Sequence, residues 1–268
     1  MISRFNLNLY YKDKKSNSVK GVDWLRHRFE LFENLCLPSI AQQTCKQFTW
    51  LCLFDRNTPV QYCKRIEMIA SKYSFFVPLY LNQTETDNLN NFLIEYISSK
   101  LPSNKKVIIT SRVDNDDALH CEFIQEVQAI AKSSESNDFI INFDFGYQLI
   151  TKMNFLFRIK HPSNHFLTRI ETDIKNFKTV MDFNHMKASV HAKIEHVAMP
   201  KKPMWLEIIH ERNVSNDYSI SLKSFPVFKR VELNEFGINL TTNTLHSILV
   251  FIFYFAPIRL ISIFKKQG

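Results

Sequence analysis

The sequence predicts an α/β fold in a single domain, with a mostly parallel sheet flanked by helices on both faces. Two observations point there. Short apolar runs of strand length alternate with segments of helical period through the first 150 residues. An acidic group directly follows one of those runs, where sheets of this kind place their ligands, beyond the C-terminal ends of the strands. The composition allows such a fold: 45% of the 268 residues are hydrophobic, enough for a thick core, and with 4 Gly and 9 Pro the chain is not of low complexity.

Residues 5–10 alternate and read as a first strand. The apolar positions 25, 29, 32 and 36, with 24, 31 and 35 beside them, form one helical face that Asp23 is placed to cap. Residues 48–54 are a continuous apolar strand ending at Asp55. Thr58, Pro59 and Gln61 supply a capping residue, a first helical position and a capping-box partner for a helix to about residue 73. A third strand covers 74–81, and a helix runs over 87–99 before Pro102 breaks the chain. Residues 106–113 make a fourth strand, and Asp114-Asn115-Asp116-Asp117 comes at once after it. Leu119, Phe123, Val127 and Ile130 mark the next helix face, and 138–150 is strand-like. Asp55 and Asp114 both end strands and should share one edge of the sheet. Beyond residue 151 the pattern is less regular, with strands expected at 203–210 and 218–222.

The formal net charge of +8 favours anionic partners. The basic residues are scattered, and this argues against nucleic acid as a partner, which would call for a basic run or a focused groove with stacking aromatics. The five cysteines form no C-x-x-C pair and read as buried free thiols in a reducing compartment. The opening Met1-Ile2-Ser3-Arg4 is unlike a secretory signal, so the expected location is cytoplasmic. Residues 1–240 form the expected globular domain, and 241–268 a C-terminal apolar and basic helix. Residues 247–258 carry no charge, but Pro257 and Arg259 interrupt the segment short of the roughly 20 apolar residues of a span. Two readings of it stay open: a helix docked on the core, and a peripheral membrane contact through 247–266, on the inner face of the cell membrane.

The chemistry concentrates in Asp114, Asp116 and Asp117. Three carboxylates within four residues repel one another, and a divalent cation resolves the conflict. Mg²⁺ or Mn²⁺ takes carboxylate oxygens and shares its remaining positions with substrate phosphates. In an extended D-x-D, side chains 114 and 116 leave on the same side and could reach one metal–diphosphate. Asp117 could instead cap a helix starting near Ala118.

An ordered set of short matches resembles a known family. It runs from Ser3-Arg4-Phe5-Asn6-Leu7 through Trp24-Leu25 with Arg28-Phe29, then Leu37-Pro38-Ser39-Ile40, Phe48-Thr49-Trp50 and Phe54-Asp55. It continues with Ser111-Arg112-Val113-Asp114-Asn115-Asp116-Asp117-Ala118-Leu119, Phe145-Gly146-Tyr147-Gln148-Leu149, Met204-Trp205-Leu206 through His210, and Asn213-Val214-Ser215-Asn216. Together these resemble the Putative rhamnosyl transferase family of bacterial polysaccharide synthesis, over roughly residues 1–220. The resemblance implies a GT-A glycosyltransferase fold and a metal-dependent transferase. Its donor would be a nucleotide-diphosphate sugar, with rhamnose suggested by the family name, and its acceptor a saccharide or lipid-linked saccharide. It also implies that Arg4, Phe5 and Asp55 hold the nucleotide base, that Asp114 and Asp116 hold ribose and metal, that Arg112 neutralises diphosphate, and that His210 completes the metal shell. His210 could equally be an ordinary core or surface histidine.

If transfer inverts the anomeric centre, a carboxylate must take the acceptor proton. Glu171 is the first candidate, with Asp173 and Asp182 as competitors, because they lie in the expected acceptor half. If transfer retains configuration, no such base is needed. Two further readings stand beside this one. The domain could be a non-catalytic nucleotide-sugar-binding or scaffold protein of a polysaccharide assembly complex, or an enzyme of metal-dependent phosphoryl transfer or hydrolysis on nucleic acid, which the scattered basic residues support little.

Overall fold

The computed structural model describes residues 1–7, 22–102, 106–134, 138–197, 202–210 and 224–258. In chain order the elements are β1 (Ile2–Arg4), α1 (Val22–Leu31), α2 (Leu37–Ala41), β2 (Trp50–Asp55), α3 (Val60–Lys72), β3 (Phe76–Leu81), α4 (Gln83–Asp87), α5 (Leu89–Lys100), β4 (Ile108–Ser111), β5 (Ala118–Leu119), α6 (Phe123–Ser133), β6 (Asp138–Phe143), β7 (Phe145–Ile150), β8 (Phe155–Lys160), β9 (Thr168–Glu171), α7 (Ala188–His191), β10 (Lys193–Val197), β11 (Trp205–Ile209), β12 (Ser224–Pro226) and α8 (Thr244–Val250). The class is α/β, as the alternation predicts.

Among the described residues three hydrogen-bonded sheets form: β1-β2-β3, β10-β6-β9-β4 and β12-β8-β7-β11-β5. The first two are continuous at one point. Ile2 bridges Arg112 in parallel, and Val113 N–H donates to the Ile2 carbonyl at 3.2 Å. The resulting platform reads β3-β2-β1-β4-β9-β6-β10. Within it β1, β2 and β3 are mutually parallel, β9 is antiparallel to both β4 and β6, and β10 is parallel to β6. Every platform strand except β9 therefore points the same way, and Arg4, Asp55 and Asp114 share one edge. The third sheet is mixed: β7 pairs β11 in parallel, and the other pairings are antiparallel.

Several local expectations shift. The first strand occupies 2–4, and of the expected 5–10 strand residues 8–10 lie outside the described residues, as does the 218–222 segment. The Thr58 capping box does not form. Pro59 stands in the capping position, and the Thr58 hydroxyl turns back to donate to the Asp55 carbonyl at 2.6 Å. The 138–150 run is two strands, β6 and β7, broken at Asp144. Leu119 belongs to β5 and not to the helix face that begins at Phe123.

The core is rich in phenylalanine. Phe5 packs against Phe29, Phe32 and Phe54 with ring centroids 4.5–5.1 Å apart. Trp205 stacks on Phe166 at 5.0 Å and donates its indole N–H to the Phe143 carbonyl at 2.7 Å, tying the third sheet to the platform. Gly146 allows this approach, since a Cβ there would lie inside the Trp205 ring. The chain from 22 to 41 is one helical rod. A wide turn at Phe32–Cys36, closed by Leu37 N–H to the Phe32 carbonyl, joins α1 to α2. Pro38 lies near the start of α2, where its missing N–H costs little. After α8 a second wide turn, Phe251–Phe255, carries Phe255 into the core against Phe155 and Phe157 at 4.9 and 5.1 Å. No helix among the described residues is long and apolar enough to cross a membrane.

Phe255 is fully buried. Phe255→Ala should therefore lower stability by about 3–5 kcal/mol, read from the urea midpoint. Gly146→Ala should also destabilise the chain and change tryptophan emission, by forcing Trp205 off Phe166.

Candidate functional site

The Asp114–Asp117 segment lies where the platform hands over to the third sheet, between β4 and β5. It is a tight turn and not an extended strand, closed by Asp117 N–H donating to the Asp114 carbonyl at 3.2 Å. That conformation changes the geometry that D-x-D spacing suggests. Asp114 and Asp117, the first and fourth residues of the turn, come together, and Asp116 is sent elsewhere. Asn115 is buried beneath and donates to the Phe5 carbonyl at 3.0 Å, pinning the turn to the end of β1.

Each carboxylate meets its own cation. Arg112 forks onto Asp114, with Nη2 3.2 and 3.3 Å from the two oxygens. Burial would raise the Asp114 carboxyl, but Arg112, His165 and Arg4 together hold it well below the usual range. Arg28 of α1 and His210 both reach Asp116 Oδ2, His210 Nε2 at 3.0 Å. Burial opposes ionisation there too, and Arg28 and His210 overcome it, so Asp116 is also depressed. Asp117 accepts the Ile208 N–H at 2.8 Å on one oxygen and faces His165 Nε2 at 2.8 Å with the other. Burial pushes Asp117 up to about 7, with Asp116 adding to the rise. Burial alone would lower His165, but its hydrogen bond to Asp117 and the charge beside it carry it up to about 9. The pair thus holds a proton between its two members at neutral pH. His185, its ring 6.1 Å from His165, is lowered to about 4 by burial and by the positive charges of His165 and Arg112.

The rod of α1 and α2 braces the turn and the strand and helix beyond it. Besides Arg28, Cys36 places its sulfur 3.6 Å from the Asp114 carbonyl, and Ser39 Oγ accepts from Leu119 N–H at 3.2 Å. Gln43, just beyond α2, donates to the His120 carbonyl at 2.8 Å and accepts from Ile124 N–H at 3.0 Å. Glu207 of β11 is half-buried, receives Gln148 Nε2 at 2.8 Å, and acts electrostatically on both Asp117 and His165.

The structure brings together Arg4, Arg112 and Asp114 at this edge, with Asp116 turned toward Arg28 and His210. Asp55 ends β2 on the same edge, where it accepts Asn57 N–H at 2.7 Å. The Phe5 ring lies in the core at 4% exposure, so it does not present a face to a nucleotide base. Among the described residues, the side chains that meet the spacing of a metal site are Asp114, Asp117 and His165, with ligand atoms within 4.8 Å of one another. The combination of Asp114, Asp116 and His210 is not gathered, because Asp116 and His210 face each other and Arg28. Oxygen donors with one imidazole fit Mg²⁺ or Mn²⁺, and Asp114, at 28% side-chain exposure, is the donor open to a ligand. Asp117 caps no helix.

Glu171, Asp173 and Asp182 lie away from the site. Glu171 pairs with Ile108 and Asp138, the first residues of β4 and β6, because β9 runs against the platform and carries its C-terminus to the opposite edge. There Glu171 and Asp182 surround Arg169, and Asp173 closes an exposed turn through Asn176. Burial pushes Glu171 up to about 7. A shifted carboxyl is therefore present, but at a structural ion cluster.

A family model described as Putative rhamnosyl transferase matches residues 8–221. Among solved structures, S. aureus TarS 1-349 is similar at a TM-score of 0.42 and 13% identity, covering 77% of this chain; this chain spans 59% of that one. No curated protein matches the sequence.

Arg28→Ala should cost about 3–5 kcal/mol, because it leaves Asp116 buried against His210 alone, and adding Asp116→Asn should recover part of the loss in a double-mutant cycle. Asp114 has a folded value below its ordinary 3.8, so the stability it contributes is present above that pH and is lost as the pH falls below it. Asp114→Asn should flatten the acid limb of a melting-temperature profile.

Proposed function

The chain belongs to the Putative rhamnosyl transferase family, a family of glycosyltransferases, and on that premise we propose that it moves a sugar from a nucleotide-diphosphate donor to a saccharide acceptor in cell-surface polysaccharide synthesis. The observation that carries the reading is the Asp114–Asp117 turn: an open carboxylate ringed by Arg112, Arg4 and His165 at the ligand-binding edge of the platform. Rhamnose as the transferred sugar accords with the family's description. A lipid-linked saccharide is the proposed acceptor.

Asp114, Asp117 and His165 would hold Mn²⁺ or Mg²⁺. When bound, such an ion neutralises charge on a leaving diphosphate. Arg112 is the side chain that answers a diphosphate directly. Its guanidinium holds Asp114 through a fork of 3.2–3.4 Å contacts, and it can re-aim onto phosphate oxygens once a bound cation balances the Asp114 charge. Arg4 adds positive charge from the end of β1, where it already acts on Asp114. His165 holds a proton through Asp117 while no ion is bound and would give it up to ligate one, so ion binding should strengthen as the pH rises. His185, held neutral, lends a hydrogen-bonding ring without further charge.

Glycosyl transfer to a hydroxyl releases one proton. Glu207 is the carboxylate placed to take it: half-buried, steadied by Gln148, and next to the Asp117–His165 pair. It replaces Glu171, Asp173 and Asp182 in this reading.

Calorimetric titration with a panel of nucleotide diphosphates, with and without Mn²⁺, tests the donor site. One nucleotide should bind with metal dependence, and Asp114→Ala should weaken it at least about tenfold, measured at a temperature where circular dichroism shows the variant folded. Asp114 is the better probe than Asp116, whose removal strands Arg28. Glu207→Gln should lower turnover by about 10²–10⁴-fold with donor affinity retained. Failure of every nucleotide to bind folded, metal-supplied protein would return the chain to a scaffold role.

A further inference from the structure

The helix that begins with α8 has two apolar faces, and only one is used. Ser247 and Phe255 are buried on the inner side, and Phe251 packs against Phe228 at 5.3 Å. On the outer side Leu245, Ile248, Leu249, Ile252 and Phe253 line up at helical spacing, with Leu245 66% and Phe253 78% exposed. A helix lying on a protein in water ordinarily shows polar side chains there, and a contiguous apolar stripe marks a docking face.

The charge around the stripe selects its partner. From Phe236 to Gly268 the sequence has no Asp or Glu, while Arg259, Lys265 and Lys266 come after the stripe. Lys229 follows the Phe228 that packs on Phe251 and is exposed. A second copy of the chain docked through this face would press like charges together. An anionic surface that accepts apolar side chains satisfies both properties at once.

We propose that this outer face seats on an anionic lipid surface, with Leu249, Ile252 and Phe253 entering the acyl boundary and the positive charge of Lys229 and of the sequence that follows the stripe attracting the headgroups. Phe255 fixes the helix to the core, so the whole domain is carried to the membrane as one body. The contact is peripheral and stands independently of the donor-site reading.

Co-sedimentation of the full chain with vesicles tests this, using phosphatidylcholine alone and phosphatidylcholine mixed with phosphatidylglycerol. Binding to the mixed vesicles should exceed that to the neutral ones by roughly a hundredfold, as expected for three basic side chains at a charged surface. It should weaken as salt is raised. Leu249→Ser, Ile252→Ser and Phe253→Ser in one variant should abolish it while thermal melting stays unchanged, since these side chains are exposed and Phe255 is intact. No pelleting with anionic vesicles would overturn the proposal. So would equal pelleting of the variant, or a concentration-dependent doubling of mass that the variant removes, which would assign the stripe to a second copy.

Discussion

Three carboxylates within four residues, two of them buried and the third partly so, are the constraint around which this fold is arranged. Left unpaired, each would carry a desolvation cost of several kcal/mol. The chain answers from three directions. Arg112 comes from the strand that delivers the turn, Arg28 from the first helix, and His165 from the loop entering β9. Each cation belongs to a different element, so these elements must be docked before the turn is tolerable. The site and the tertiary structure are therefore stabilised by the same contacts.

The turn also joins two sheets. Asp117 accepts from the backbone of Ile208 in β11, Asn115 binds the end of β1, and β5 starts one residue later in the third sheet. Trp205 makes a second connection, through Phe166 and the Phe143 carbonyl. Glu207 lies between these two ties, on the strand that both of them fix. A residue so placed is held by structure on either side and needs no mobile loop to position it.

Much of this was legible in the sequence. Apolar runs predict β2, β3 and β4, helical period predicts α1, α3 and α6, and acidic spacing locates the site at a strand end. The features that eluded the sequence did so for physical reasons. The direction of β9 cannot be read from its own residues, and that direction alone moves Glu171 to the far edge. The turn at 114–117 sets which carboxylates meet, and the spacing of Asp114 and Asp116 suits an extended chain that Asp117 N–H closes instead. His165 stands in no motif; its role comes from a fold that brings it to Asp117 across 48 positions of sequence. Phe5 reads equally well as a strand residue or a base contact until Phe29, Phe32 and Phe54 close around it.

The wide turn at Phe32–Cys36 sets the phase between two halves of one rod. A regular helix advances about 100° per residue. The extra residue in that turn is what allows Arg28 above it to face Asp116 while Ser39 below it faces Leu119. Trimming the turn by one position would leave the rod helical and its apolar composition nearly unchanged, yet it would swing Arg28 away from its carboxylate. The rod thus behaves as a key with two bits cut at a fixed angle, and its length in this stretch is under tighter constraint than the identity of most of its side chains.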